Sequence, residues 1–132
     1  MEVIVTLHNI WRWVVLVVGL GAIALAVMSA TGARPWDGVS DRMSFFFTLA
    51  MDIQILIGAV VWIGQQRWDG SDTFLSFIHP LLMLVAVALA HVGRARSDRA
   101  DGSRTKGQQA SIFFIASFIV IVVAIPIAHW PL

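Results

Sequence analysis

The side chains able to do redox, metal or proton chemistry in this chain are few: His8, His79, His91 and His129, and an aspartate, Asp52, set inside an apolar stretch. There is no cysteine, so disulfides, thiolate metal sites and iron–sulfur clusters are excluded. What remains is imidazole chemistry, as a nitrogen ligand to a metal or as a proton carrier, with carboxylate beside it. Which of these applies depends on where the surrounding elements put the rings.

Those elements are four apolar runs, roughly 9–32, 43–66, 74–96 and 109–130. The 132-residue chain is 58% hydrophobic and 13% charged, with a mean hydropathy of +0.82, and each run is near or above the roughly 20 residues a helix needs to cross the hydrocarbon core. The apolar residues come in blocks and do not alternate, which excludes a membrane barrel and leaves helices. The expected fold is all-α: one antiparallel four-helix transmembrane bundle over residues 1–132. The first run reads as a mature helix, because Glu2 and a lone Arg12 make a poor positive leader and Met28 occupies the place where a signal-peptide cleavage site wants a small residue.

Charge sets the expected orientation. Of nine Lys and Arg, Arg34 and Arg42 lie between the first two runs, and Arg94, Arg96, Arg99, Arg104 and Lys106 between the last two. The positive-inside rule then places both loops in the cytoplasm and both termini outside, with Trp11, Trp13, Trp62, Trp68 and Trp130 at the outer interface. Ala33 to Asp41 reads as a tight cytoplasmic connection, Gln65 to Thr73 as an outer turn, and Arg94 to Gly107 as a solvated loop, a plain stop-transfer segment or a site for anionic headgroups. Small residues recur every four positions at Ala22, Ala26 and Ala30 in the first run and at Ala86 and Ala90 in the third, which suggests that these two helices touch. His8 and His79 open matching hairpins, as a parallel internal repeat would place them.

This topology brings His8, His79 and His129 to the outer side. Two histidines from different helices are what a bis-imidazole haem b requires, and Arg12, one turn after His8, is placed to pair with a propionate. The plainer reading of each histidine is an interfacial residue with its tip in water, and of Arg12 a side chain snorkelling outward. His129, beside Trp130 at the chain end, suits the plainer reading better. Deeper in the membrane, Asp52 and His91 fall at comparable depth in the inner half, and an ionisable residue there marks a functional site by default. The pair is a candidate proton path or quinone headgroup site, or a structural link between the second and third helices. Gln54 points to another side of its helix than Asp52.

The segments His8-Asn9-Ile10-Trp11-Arg12-Trp13, Asp52-Ile53-Gln54-Ile55-Leu56-Ile57-Gly58 and His79-Pro80-Leu81-Leu82-Met83 resemble, in this order, a family of small bacterial four-helix membrane proteins described as cytochrome-b-like and largely uncharacterised. That resemblance implies haem b and electron transfer. Many members carry histidine where this chain has Asp52, so it carries the ligand role to His8 and His79 alone. The expected function is a membrane b-type haem protein of the bacterial cytoplasmic membrane, exchanging electrons with a quinone or an outer-side redox protein. No catalytic residue is assigned, and no nucleic acid is expected as a partner. Two rivals stand beside it. One is a non-catalytic accessory subunit of a larger respiratory or photosynthetic membrane complex, and the other a small proton-coupled transporter built on Asp52 and His91.

Overall fold

The computed structural model describes residues 1–126. It contains four long helices and, among the described residues, no strand: α1 (Glu2–Ala30), α2 (Gly38–Gly64), α3 (His79–Arg99) and α4 (Ser103–Ala124). A single 3-10 turn, Arg67–Asp69, and a π-helical turn, Phe74–Ile78, lead from α2 into α3. All four helices, α3 counted with its π-turn, are long and apolar enough to cross a membrane. They fit a bundle whose neighbours are α1 with α2, α2 with α3, α3 with α4 and α4 with α1.

Local chemistry sets the helix ends. Gly32 at φ +79° closes α1 in a Schellman motif, its N–H donating to the Ser29 carbonyl and that of Ala33 to the Met28 carbonyl. Asp37 caps α2, its carboxylate accepting from the backbone N–H groups of Val39 and Ser40 at 3.1 Å each. At the start of α3, Pro80 has no N–H to give to the Ser76 carbonyl one turn back. The Trp62 indole donates to that carbonyl at 2.8 Å and ties the end of α2 to the wide turn.

The packing is that of a membrane bundle, with large apolar residues outside and small ones at the contacts. Leu20, Leu56, Leu81 and Ile119 are exposed, whereas Ala22, Ala26, Ala86, Ala90 and Ala110 are buried. Lipid tails are as apolar as leucine, so burying leucine between such helices gains little and close backbone approach decides the seams. A Cβ on Gly107 would run into the backbone of Ala26 to Ala30, so that glycine lets α4 press on α1. Across α3 and α4, Ser117 Oγ donates to the Ala86 carbonyl at 2.7 Å, a bond worth about 0.6 kcal/mol in such a setting. Phe47 and Phe114 meet edge to face at 5.2 Å in the middle of the core.

Three sequence expectations are corrected. The small residues of the first and third helices do not face each other: α1 and α3 stand on a diagonal, and both alanine stripes are spent on α4, the element between them. The segment Arg94 to Gly107 is no solvated loop. Its arginines and alanines are good helix formers that carry α3 to Arg99, and α4 begins at Ser103 after Gly102 turns the chain at φ +85°. The first helix also starts at Glu2, seven residues before the apolar run suggested. The two basic connections do share one end of the bundle. The Trp36 N–H donates to Ser103 Oγ at 2.9 Å, and the Arg104 guanidinium packs on Gly32.

Candidate cofactor site

At the other end of the bundle, α1, α2, α3 and α4 leave between them a cavity of about 530 Å³, within the ~300–1,000 Å³ typical of cofactor and ligand sites. Two of the histidines meet there. The rings of His8 on α1 and His79 on α3 have centroids 6.3 Å apart and planes at 89°. Because α1 and α3 are diagonal, these rings bridge the bundle across the cavity, which helices in direct contact could not enclose between them.

Each ring is held by its neighbours. His79 Nδ1 lies 2.7 Å from the Ala124 carbonyl, and a carbonyl only accepts, so Nδ1 carries the hydrogen and the lone pair of the neutral ring is on Nε2. This is the arrangement by which an imidazole offered to a metal is oriented through its other nitrogen. The His8 ring lies against Gly58 of α2, where a Cβ would sit 3.2 Å from its Cε1, so the missing side chain makes the space for it. Gln54, one turn earlier on the same face, donates through Nε2 to the His8 backbone carbonyl at 2.9 Å. Its Oε1 and the His8 Nδ1 are both buried, and the two side chains lie near enough to interact. The Trp11 indole, three residues on, donates to the Ala50 carbonyl at 2.9 Å and fixes this stretch of α1 against α2.

Arg12 is 7% exposed and lines the cavity, with its guanidinium carbon 5.6 Å from the Trp13 ring centre. It is therefore buried in the bundle and does not snorkel outward. Arg67 also lines the cavity. The site thus has two imidazoles, the Arg12 guanidinium and mainly apolar walls, with Arg67 at its rim donating to Gln65 Oε1, a composition suited to an apolar ligand with an anionic edge. Among the described residues no three His, Asp or Glu side chains converge as a metal-ion site, so a metal here needs most of its ligands from elsewhere. A cofactor that brought its own nitrogens would ask only two ligands of the protein, the number of imidazoles here.

The other predicted cluster is separate. Asp52 Oδ1 and His91 Nε2 are 2.7 Å apart, linking α2 to α3, but neither lines the cavity, and their side chains are 42% and 48% exposed on the outer face of the bundle. His79 and His91 stand twelve residues apart on one helix, about 18 Å along its axis, and so cannot share one ligand. His129 lies outside the described residues.

Three contributors to the site were not identified from the sequence: Gln54, Gly58 and the Ala124 carbonyl. The spacing of Gln54 and Gly58 by four residues, on the face away from Asp52, was a signal for the first two. A backbone carbonyl leaves no trace in residue type. No family model, curated protein or solved structure matches this chain, so its chemistry is read from the residues themselves.

Proposed function

We propose that this protein is a b-type haem protein of the bacterial cytoplasmic membrane, with one haem near the outer face held by His8 and His79 as axial ligands and Arg12 as a propionate partner. The observation that carries this reading is the pair of imidazoles 6.3 Å apart across a cavity. Rings this close, on two different helices, could both reach one group seated in the cavity. The donor set fits as well. His79 is oriented through Nδ1 by the Ala124 carbonyl, and Gly58 leaves room for the His8 ring, so both are held by backbone placement.

A haem bound there supplies a one-electron couple, which suits exchange with a quinone in the bilayer or a redox protein outside. The chain's own residues would bind and orient it: His8 and His79 as ligands, and Arg12 by setting a positive charge at the cavity wall beside an anionic edge. The apolar walls would keep water from the bound group.

The bundle in this reading is antiparallel. Contacts along α1 and α2 run in opposite senses (His8 by Gln54, Trp11 by Ala50, Gly21 by Met43), as do those along α3 and α4 (His79 by Ala124, Ala86 by Ser117, Arg96 by Gln109). Seven of nine basic residues belong to the end away from the cavity, which supports termini outside and the haem on the outer side.

The test is a visible spectrum. Protein purified from cells supplied with haem is expected to show a reducible Soret band and a sharp α band. A colourless, haem-free preparation would overturn the redox reading and favour the accessory subunit.

A further inference from the structure

The Asp52–His91 pair is the feature this function leaves unused, and its position is unusual. Asp52 has fourteen helical residues before it in α2 and twelve after it, so it stands about 18 Å or more from either end of that helix. On α3 its partner His91 is nearer the basic end, three residues before Arg94 and eight before Arg99. Yet the pair faces outward, nearly half exposed, within an apolar surface. On α2 the stripe reads Leu49, Asp52, Leu56, and on α3 Leu84, Ala88, His91, with all three leucines exposed. Facing lipid, such a pair is costly, and polar groups on membrane helices are instead used to hold helices together.

We infer that this face is the interface between two copies of the chain, with Asp52 and His91 at its centre. The chemistry is self-complementary. Within one copy, the 2.7 Å contact takes up His91 Nε2 and Asp52 Oδ1. That leaves one donor, His91 Nδ1–H, and one acceptor, Asp52 Oδ2. A two-fold axis along the membrane normal brings the donor of each copy to the acceptor of the other, closing a ring of four charge-assisted hydrogen bonds. The same axis guarantees that the polar groups meet at equal depth, because both copies sit in the bilayer alike. A second copy thus supplies both the groups and the depth that this pair lacks. It would also brace α2 against α3, the most loosely packed neighbours in the bundle.

The inference rests on the chain spanning a membrane but not on its binding haem, and its test does not use a spectrum. With no native cysteine, single cysteines report cleanly. In lipid nanodiscs or native membranes, Leu56→Cys is expected to crosslink to its copy, while Leu20→Cys, exposed on α1, does not. Asp52→Ala and, independently, His91→Gln are expected to weaken dimerisation about tenfold or more, as loss of interhelical hydrogen bonds worth ~1–2 kcal/mol would do. The exchanged variant Asp52→His with His91→Asp keeps one donor and one acceptor and is expected to recover the dimer. A monomeric wild type, crosslinking through Leu20→Cys in place of Leu56→Cys, or dimerisation indifferent to both single variants overturns the proposal. So does occupation of the face by a different subunit or by a quinone.

Discussion

At the residue scale, the molecule treats its histidines unequally. His79 is oriented by a backbone carbonyl and His8 by a glycine-made recess, whereas His91 faces away from the cavity on a carboxylate. Replacing His79 by alanine is therefore expected to abolish a low-spin haem spectrum, and His91→Ala to leave it intact. The reverse result, read by reduced-minus-oxidised difference spectra, would move the site to the other end of α3. Gly58 offers a finer probe, because its substitution touches the ligand without removing it. Gly58→Leu fills the space beside the His8 ring and is expected to lower haem per polypeptide several-fold, with helix content by circular dichroism unchanged. Glycine costs a helix interior about 1 kcal/mol against alanine, so retained haem in a better-formed helix would show that the recess is not needed.

At the element scale, the caps and turns decide where the helices begin and therefore which residues share a level. The Asp37 carboxylate, hydrogen-bonded first by Arg34 and then by the Ser40 N–H, is held down at about 2 from its ordinary 3.8. A carboxyl depressed in the folded state contributes stability above its unfolded value, and that contribution is lost as pH falls through the folded one. Thermal unfolding of the wild type in detergent is thus expected to weaken between about pH 4 and 2. Asp37→Asn keeps a capping oxygen but has no proton to gain there, so its loss over this window should be smaller. Equal slopes would remove Asp37 from the acid response. At the other end of α2, the Trp62 indole on the Ser76 carbonyl replaces the donor that Pro80 lacks. Orphaning such a buried carbonyl costs about 1–3 kcal/mol, so the wide turn before His79 depends on a side chain of another helix.

At the scale of the whole molecule, charge and cavity occupy opposite ends. Cysteines placed singly at Ser71 and Ser103, in the turn beyond α2 and at the start of α4, are expected to react with an impermeant reagent from opposite sides of the membrane. On intact cells, with any outer membrane permeabilised, Ser71→Cys should label and Ser103→Cys be spared. The opposite pattern would put the His8–His79 cavity on the cytoplasmic side. The diagonal placement of α1 and α3 matters most at this scale. It puts one histidine on each of two helices that are not packed neighbours, and so makes the cavity a property of the ring of four.

Four apolar blocks of spanning length, basic residues in alternate breaks and the turn residues between Ala33 and Asp41 were enough to determine the all-helical class, because hydrophobic length and backbone chemistry act locally. The grouping of His8 with His79, and of Asp52 with His91, was also legible, since helical rise converts sequence position into depth. What depth leaves open is azimuth. Whether a residue at a given level points to the core, to a cavity or outward depends on which helices are neighbours, and that is decided by close backbone contacts such as Gly107 on Ala26 to Ala30. For this reason the alanine stripes were matched to the wrong partner, and the Gln54, Gly58 and Ala124 supports of the site were not identified. The Asp52–His91 pair is the clearest case: sequence placed the two residues at one level, and only the tertiary structure turned them outward.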